Sequence, residues 1–420
     1  MTAKEKTKRA LILMGVTGSV VVGLVVLGLG LRTYAYAYDG GESGSSVSPD
    51  SDASGVTTIY NIYIDASAKA GGDGLTPETA KRTIQEAWNV ALTLPGPYRF
   101  HLAPGTYYGC LIPTSEWIGS GPDVTVITPE GDNAYPVTNG SPPLGTCGVD
   151  SESDSPLPVF HVRWRNLTLK NLQIKGYSDA TNDPYAALIM AEYSAQVRLQ
   201  NVWLQGDKSY YGIYESCVDY DCDGSLIWVE NSIIDGFKTG IYTEKYMNPF
   251  PPHTHITATN SIFVNNEIAI DDLNYWNSVI RNNIFIGNDI ALYWMKWQFD
   301  HNISWNNRID TLAWQEPYYT DTWIRVDPLL GDDYLPLPTS PVIDAGNPDP
   351  RYNDPDGTRN DIGLFGGANA YYLTSKVVMF PVVSQDEKLV LAAKNFGQTA
   401  RQVAITVTIP PSVTLTSISV

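Results

Sequence analysis

The sequence predicts an all-β chain wound as a parallel β-helix, and a repeat, its spacing and its second strand lead there. A short unit recurs: "NLQIKG" at 171, "NVWLQG" at 201, "NSIIDG" at 231, "NSIFVNN" at 260, "NIFIGN" at 283 and "NISWNN" at 302. Each is an asparagine, a short strand with alternating apolar residues, then Gly or Asn at a turn. Successive asparagines lie 30, 30, 29, 23 and 19 residues apart. A second strand follows in four units: "GIY" at 212 and 240, "AID" at 269 and "ALY" at 291. This period with short strands and tight turns predicts stacked coils, each burying its apolar face only against its neighbours. Asparagine suits turn positions, and copies at one place in every coil would hydrogen-bond along the stack. Asn171, Asn201, Asn231, Asn260, Asn283 and Asn302 are therefore expected at equivalent places.

The flanking segments follow in order. "MTAKEKTKR" carries four positive charges and precedes 22 largely apolar residues, 10 to 31. Ala35 and Ala37 then form an A-x-A pattern. Residues 1–37 read as a secretory signal cleaved after Ala37, or as an uncleaved membrane anchor, so the rest is expected outside the cell or on its surface. Residues 38–57 are a Ser/Gly/Asp linker with almost nothing to bury. In "TPETAKRTIQEAWNVALTL", Thr76 is the expected N-cap, Pro77 lies in the first turn, and Ile84, Trp88, Ala91 and Leu92 share one face. Four cysteines in an exported chain suggest two disulfides. Proximity favours Cys217–Cys222, which leaves Cys110–Cys147.

"YIDASAKAGGDGLTPETAKRTIQEAW" followed by "FHLAPGTYYGCLI" resembles the cap and first coil of right-handed, pectin-lyase-like β-helix proteins. The resemblance implies a helix plugging the open end of the stack, where bare strand edges would otherwise pair with another chain. Farther on, "SPVIDAGNPD", "NDPDGTRNDIGLFGG" is similar to the terminal signature of many exported bacterial β-helix proteins, S-P-x-I-D-A-G, then D-x-D-G, then D-x-G-x-x-G-G. The likeness spans roughly 58–370. It implies the fold and leaves the reaction open, because this fold hosts lyases, hydrolases, epimerases and non-catalytic surface proteins. Residues 376–420 alternate as strands and resemble the start of an immunoglobulin-like stalk domain, forming a partial β-sandwich-like segment.

Composition narrows the partners. With 27 Lys and Arg against 45 acids the net charge is −18, which argues against nucleic acid. An anionic partner needs local cations or a bridging metal. Tyr and Trp number 37 together and suit aromatic recognition surfaces. "CVDYDCDGSLIWVE" places Asp219, Asp221 and Asp223 at positions 1, 3 and 5, Gly224 at 6 and Glu230 at 12 of an EF-hand-type loop. Calcium is the expected ion, held by the three aspartates, the Ser225 carbonyl and Glu230. A second acidic cluster includes Asp354, Asp356 and Asp361, and reads either as a structural calcium site or as ordinary Asp/Gly turn chemistry.

In the second strands Ile213, Ile241, Ile270 and Leu292 alternate with Tyr214, Tyr242, Asp271 and Tyr293. Period-2 alternation buries the first set and turns the second outward in a row. Tyr214, Tyr242, Tyr293 and Trp294 are the expected contacts for a polysaccharide, unless the following loops cover them as a secondary core. Candidate catalytic groups are Asp271, Asp272, Glu244, Lys245 and Arg281. Paired carboxylates would serve hydrolysis, and a basic residue beside calcium would serve the proton abstraction of a pectate-lyase-like reaction. Of the N-T-D, D-D and G-H-G set of polygalacturonases only the one D-D is present. The expectation is an exported, calcium-stabilised protein that binds polysaccharide. Its alternatives are a polysaccharide lyase or glycoside hydrolase using the same groove, and a non-catalytic adhesin or stalk.

Overall fold

A computed structural model describes residues 58–129, 157–176, 186–216, 224–244, 254–272, 278–293, 298–312, 323–331, 334–355 and 357–370, with backbone strands within 8–36 and 377–419. Three parallel sheets run the length of the stack. The first runs from Tyr60–Ile64 through Leu226–Glu230 and His255–Thr259 to Gln298–Asp300. The second includes Ile233–Asp235, Ile262–Val264, Ile284–Ile286 and Asn302–Trp305. Asn166–Lys175 and Gln196–Gln205 run through both. The third contains Phe160–Arg163, Ala187–Glu192, Tyr211–Ser216, Thr239–Thr243, Ile268–Asp272, Ile290–Tyr293 and Ile309–Leu312. This is the parallel β-helix the repeat predicts.

Rows of inward side chains from each sheet fill the coil. Ile213, Ile241, Ile270 and Leu292 pair in register and are buried. Aromatic rings stack between coils, Phe100 on Trp117 at 4.1 Å and Phe263 on Phe285 at 4.9 Å. The helix Ile84–Ala91 closes the first end by adding Ile84, Ala87 and Ala91 to this core. It is shorter than the sequence suggests. Thr76 caps only the 3-10 turn Pro77–Thr79, and Thr83 caps the α-helix by accepting the Glu86 N–H at 3.1 Å. Between them Lys81 is extended, because it bridges Ile64 in the first strand.

The asparagines resolve into two structures. Asn171, Asn201, Asn231 and Asn260 are equivalent, at the corner between first and second sheets, with left-handed φ of 57°, 53°, 46° and 49°. Strand register continues this row to Asn282 and His301. Asn283 and Asn302 lie one residue later and point inward, a correction to the expected single row. They extend a buried ladder that serine begins. Ser261 N–H donates to Asn283 Oδ1 at 2.9 Å, and Asn283 N–H to Asn302 Oδ1 at 2.9 Å. Ser232 and Ser261 hold the same inward place in the preceding coils. At the next corner Asn266, Asn288 and Asn307 form a second ladder of the same kind. Each satisfies corner amides that no strand partner reaches.

The terminal signature lies along the outer face of the second sheet, where Val342, Ile362, Leu364 and Phe365 pack on Ile233, Ile262, Ile284 and Ile303. Asn231 Nδ2 donates to the carbonyls of Leu364 and Gly366, both at 2.8 Å. The glycines are demanded by contact. A Cβ on Gly366 would lie 1.8 Å from the Asp361 carbonyl oxygen, and Gly363 has φ +94° against Ile284. Strands within 377–419 pair in sheets apart from the three stacked ones. Among the described residues no helix is long and apolar enough to cross a membrane.

Candidate functional site

The third sheet gathers the expected groups. Tyr214 pairs with Tyr242, Tyr242 with Asp271, and Asp271 with Tyr293, so neighbouring coils set all four side chains in one outward row. Tyr214 is only 3% exposed. Its ring packs 5.1 Å from Tyr211 and 5.0 Å from Tyr242, so this end of the row is buried and not open as a sugar contact. Tyr242 and Tyr293 are half-buried. Trp294 lies outside the described residues, as does Lys245.

Asp271 and Asp272 diverge, as neighbours on a strand must. Asp271 is outward and 6% exposed, with Oδ1 lacking a hydrogen-bond partner. Burial, and then the charge of Asp272, push its carboxyl up to about 7. Asp272 points inward, accepting from Ser278 Oγ at 2.6 Å and Thr243 Oγ1 at 3.3 Å. Two coils away, Glu215 occupies the same inward row and is fully buried. Burial drives its carboxyl up to about 8, with Asp272 and Glu244 adding to the rise against the Thr254 hydroxyl. Thr254 Oγ1 donates to Glu215 Oε1 at 2.9 Å and accepts the Ser225 N–H at 3.2 Å. Glu244 accepts from Ser216 Oγ at 2.8 Å. Asp271, Asp272, Glu244 and Glu215 thus share one end of the third sheet. The sequence offers Glu215 as a possible carboxylate partner of Asp271, and alternation from Tyr214 makes it an inward acid.

Arg281 is elsewhere. It ends a strand of the first sheet, binds both oxygens of Asp300 at 2.9 and 2.8 Å, and lies over the Tyr352 ring. Desolvation works against Asp300's charge, yet bonds from His301, Asn347 and Arg281 hold its carboxyl below the usual range. The structure makes Arg281 a strut between the coil and the terminal segment and does not bring it to the acids.

Asp219, Asp221, Asp223, Cys217 and Cys222 lie outside the described residues. At the loop's exit the Ser225 carbonyl accepts the His255 N–H at 3.0 Å, which leaves it one further lone pair. Ser225 Oγ is buried and unbonded. Glu230 lies away from Ser225. It ends an extended strand roughly 16 Å from Ser225, and its carboxylate accepts from Asn369 Nδ2 at 3.1 Å. Strand formation in "LIWVE" extends the chain from Ser225 to Glu230 where an EF-hand-type loop would curl. In the terminal cluster, Asp354 Oδ1 accepts the Gly367 N–H at 2.6 Å, and Asp361 Oδ1 the Asp344 N–H at 2.7 Å. These carboxylates fasten the backbone of the signature. Asp356 lies outside the described residues, and no group of three metal-ligating side chains occurs among the described ones. Cys110 is buried, and its expected partner Cys147 lies outside the described residues. Neither the protein-family models nor the curated proteins compared with the chain match it.

Proposed function

We propose that the protein is an exported β-helix that binds polysaccharide along the outward row of its third sheet. The observation that carries this reading is the placement of Tyr242, Asp271 and Tyr293 in one line across three coils. Half-buried rings offer fixed apolar faces to sugar C–H groups, and a carboxyl between them offers a hydrogen bond to hydroxyls. Fixed aromatic faces with few polar groups are the usual make-up of such sites. Export rests on the N-terminal sequence, and disulfide pairing on the cysteine spacing.

A second reading, hydrolysis in the same groove, is favoured by one observation. Asp271 holds its proton to near neutrality, as a general acid must. Incubation with a panel of acidic and neutral polysaccharides separates the two, with retention, unsaturated products and new reducing ends read together. Retention without products is expected for binding. Products abolished by Asp271→Asn would replace it with the enzymatic reading, and neither retention nor products would remove both.

Calcium belongs to the proposal as a stabilising ion held by Asp219, Asp221, Asp223 and the Ser225 carbonyl. An ion bound only by the folded chain raises its melting temperature. Calcium should therefore raise the transition of the native protein, and Asp221→Ala should lose most of that gain. Identical melting curves in calcium and chelator would reduce the loop to a solvated acidic turn.

A further inference from the structure

A cleft of about 1160 Å³ opens at the helix-capped end, lined by Trp88, Tyr98, Glu116, His161, Trp164 and Arg165 among others. His161 pairs with Met190 and Met190 with Tyr214, so the cleft meets one end of the tyrosine row. Trp164 has the features of a recognition residue. It is 65% exposed, and its backbone takes a left-handed φ of 50°, a conformation that disfavours bulky residues. The indole is packed against its neighbours all the same. It stacks on Tyr193 at 4.7 Å, and the Arg163 guanidinium lies over both rings, at 5.1 and 4.7 Å from their centroids. An exposed, pre-positioned indole face costs little entropy to use in binding.

The charges around it run against the rest of the chain. Glu192 is shared by His161 at 2.9 Å and Arg163 at 3.1 Å, while Glu116 is shared by Arg99 at 2.6 Å and Lys170 at 3.1 Å. These partners hold both carboxyls below their ordinary value against the opposing effect of burial. Both acids are thus neutralised within the wall. Arg165 is exposed, is left with no carboxylate partner among the described residues, and is one of the residues lining the cleft. In a chain of net charge −18, the described residues here place more cations than acids beside an exposed aromatic ring.

We infer that this cleft is a separate subsite for an acidic sugar unit, with the pyranose ring stacked on Trp164 and its carboxylate paired with Arg165. The inference rests on the carbohydrate reading, but Trp164 and Arg165, the two residues that carry it, lie outside the line of Tyr242, Asp271 and Tyr293. A ring face requires the indole, and a carboxylate requires the fork of the guanidinium. Local cations also remove the need for a bridging metal.

The test is titration with a hexamer of galacturonate and with the same hexamer after reduction of its carboxyls, both in chelator at low salt. The galacturonate hexamer should bind more tightly. Trp164→Ala should weaken both ligands about ten-fold or more while the melting curve still shows a folded protein, because the ring lies outside the core. Arg165→Gln should weaken only the acidic hexamer and erase the preference. The loss from Trp164→Ala should be the same factor in a Tyr242→Ala background. Undiminished binding by Trp164→Ala, retained preference in Arg165→Gln, or no binding of either hexamer overturns the subsite. If Tyr242→Ala alone removes binding and Trp164→Ala does not, the row reading stands and the cleft falls.

Discussion

Glu215 and Asp271 are carboxyls that the fold keeps protonated, and this fixes how stability should respond to pH. Their folded values, about 8 and about 7, lie above the unfolded range near 4. Below about pH 4 both states carry the proton and nothing is lost. As pH rises the unfolded chain releases its protons first, so stability falls until about pH 7–8 and then levels. Glu215→Gln should abolish its share of the fall. With chelator present, the variant should match the native protein at pH 4 and exceed it on the order of 2–4 kcal/mol at pH 9. A constant difference in denaturant midpoint across this range would show that Glu215 does not titrate as its burial requires. Asn302 makes the complementary case of a satisfied polar group. It accepts two bonds from Asn283 and donates to the carbonyls of Ile280 and Asp300. Asn302→Ala strands buried partners and should cost about 2–3 kcal/mol in urea unfolding.

Single coils were legible wherever one residue type marks a corner. Asn171 to Asn260 could be aligned because a left-handed turn leaves few choices of side chain. The alignment slipped at 282–283 and 301–302. There Asn-Asn and His-Asn fill both the turn and the inward place, and only strand register tells them apart. The calcium loop shows the opposite limit. Spacing alone brought Glu230 into a ligand set, but "LIWVE" is β-branched and aromatic and joins the first sheet. Strand pairing sent the acid to Asn369. The "RWR" at 163–165 gave no periodic signal at all, since its meaning depends on the turn that exposes Trp164. The terminal signature was legible as a motif but not as a clamp. Asp354 bonds amides of Asp361 and Gly367 from a buried position. Asp354→Ala should release this cover from the second sheet. Faster hydrogen exchange in 342–367, with the coils still protected, is the expected result. Unchanged exchange there would mean that Ile362, Leu364 and Phe365 hold the cover without the carboxylate.

On the scale of the molecule, a stack of coils turns local alternation into long straight rows, which is how Tyr242, Asp271 and Tyr293 come to share one line. The same geometry leaves the reaction unwritten in the sequence, because any outward row on this scaffold can bind, cleave or simply face solvent. Binding by that row is therefore the central claim, and one measurement addresses it directly. A polysaccharide retained by the native protein should be titrated against the Tyr242→Ala/Tyr293→Ala double variant, with melting curves confirming that both are folded. The two half-buried rings contribute on the order of 1–3 kcal/mol each if sugars stack on them, so affinity should drop at least ten-fold. Equal affinity for native protein and variant would contradict the account.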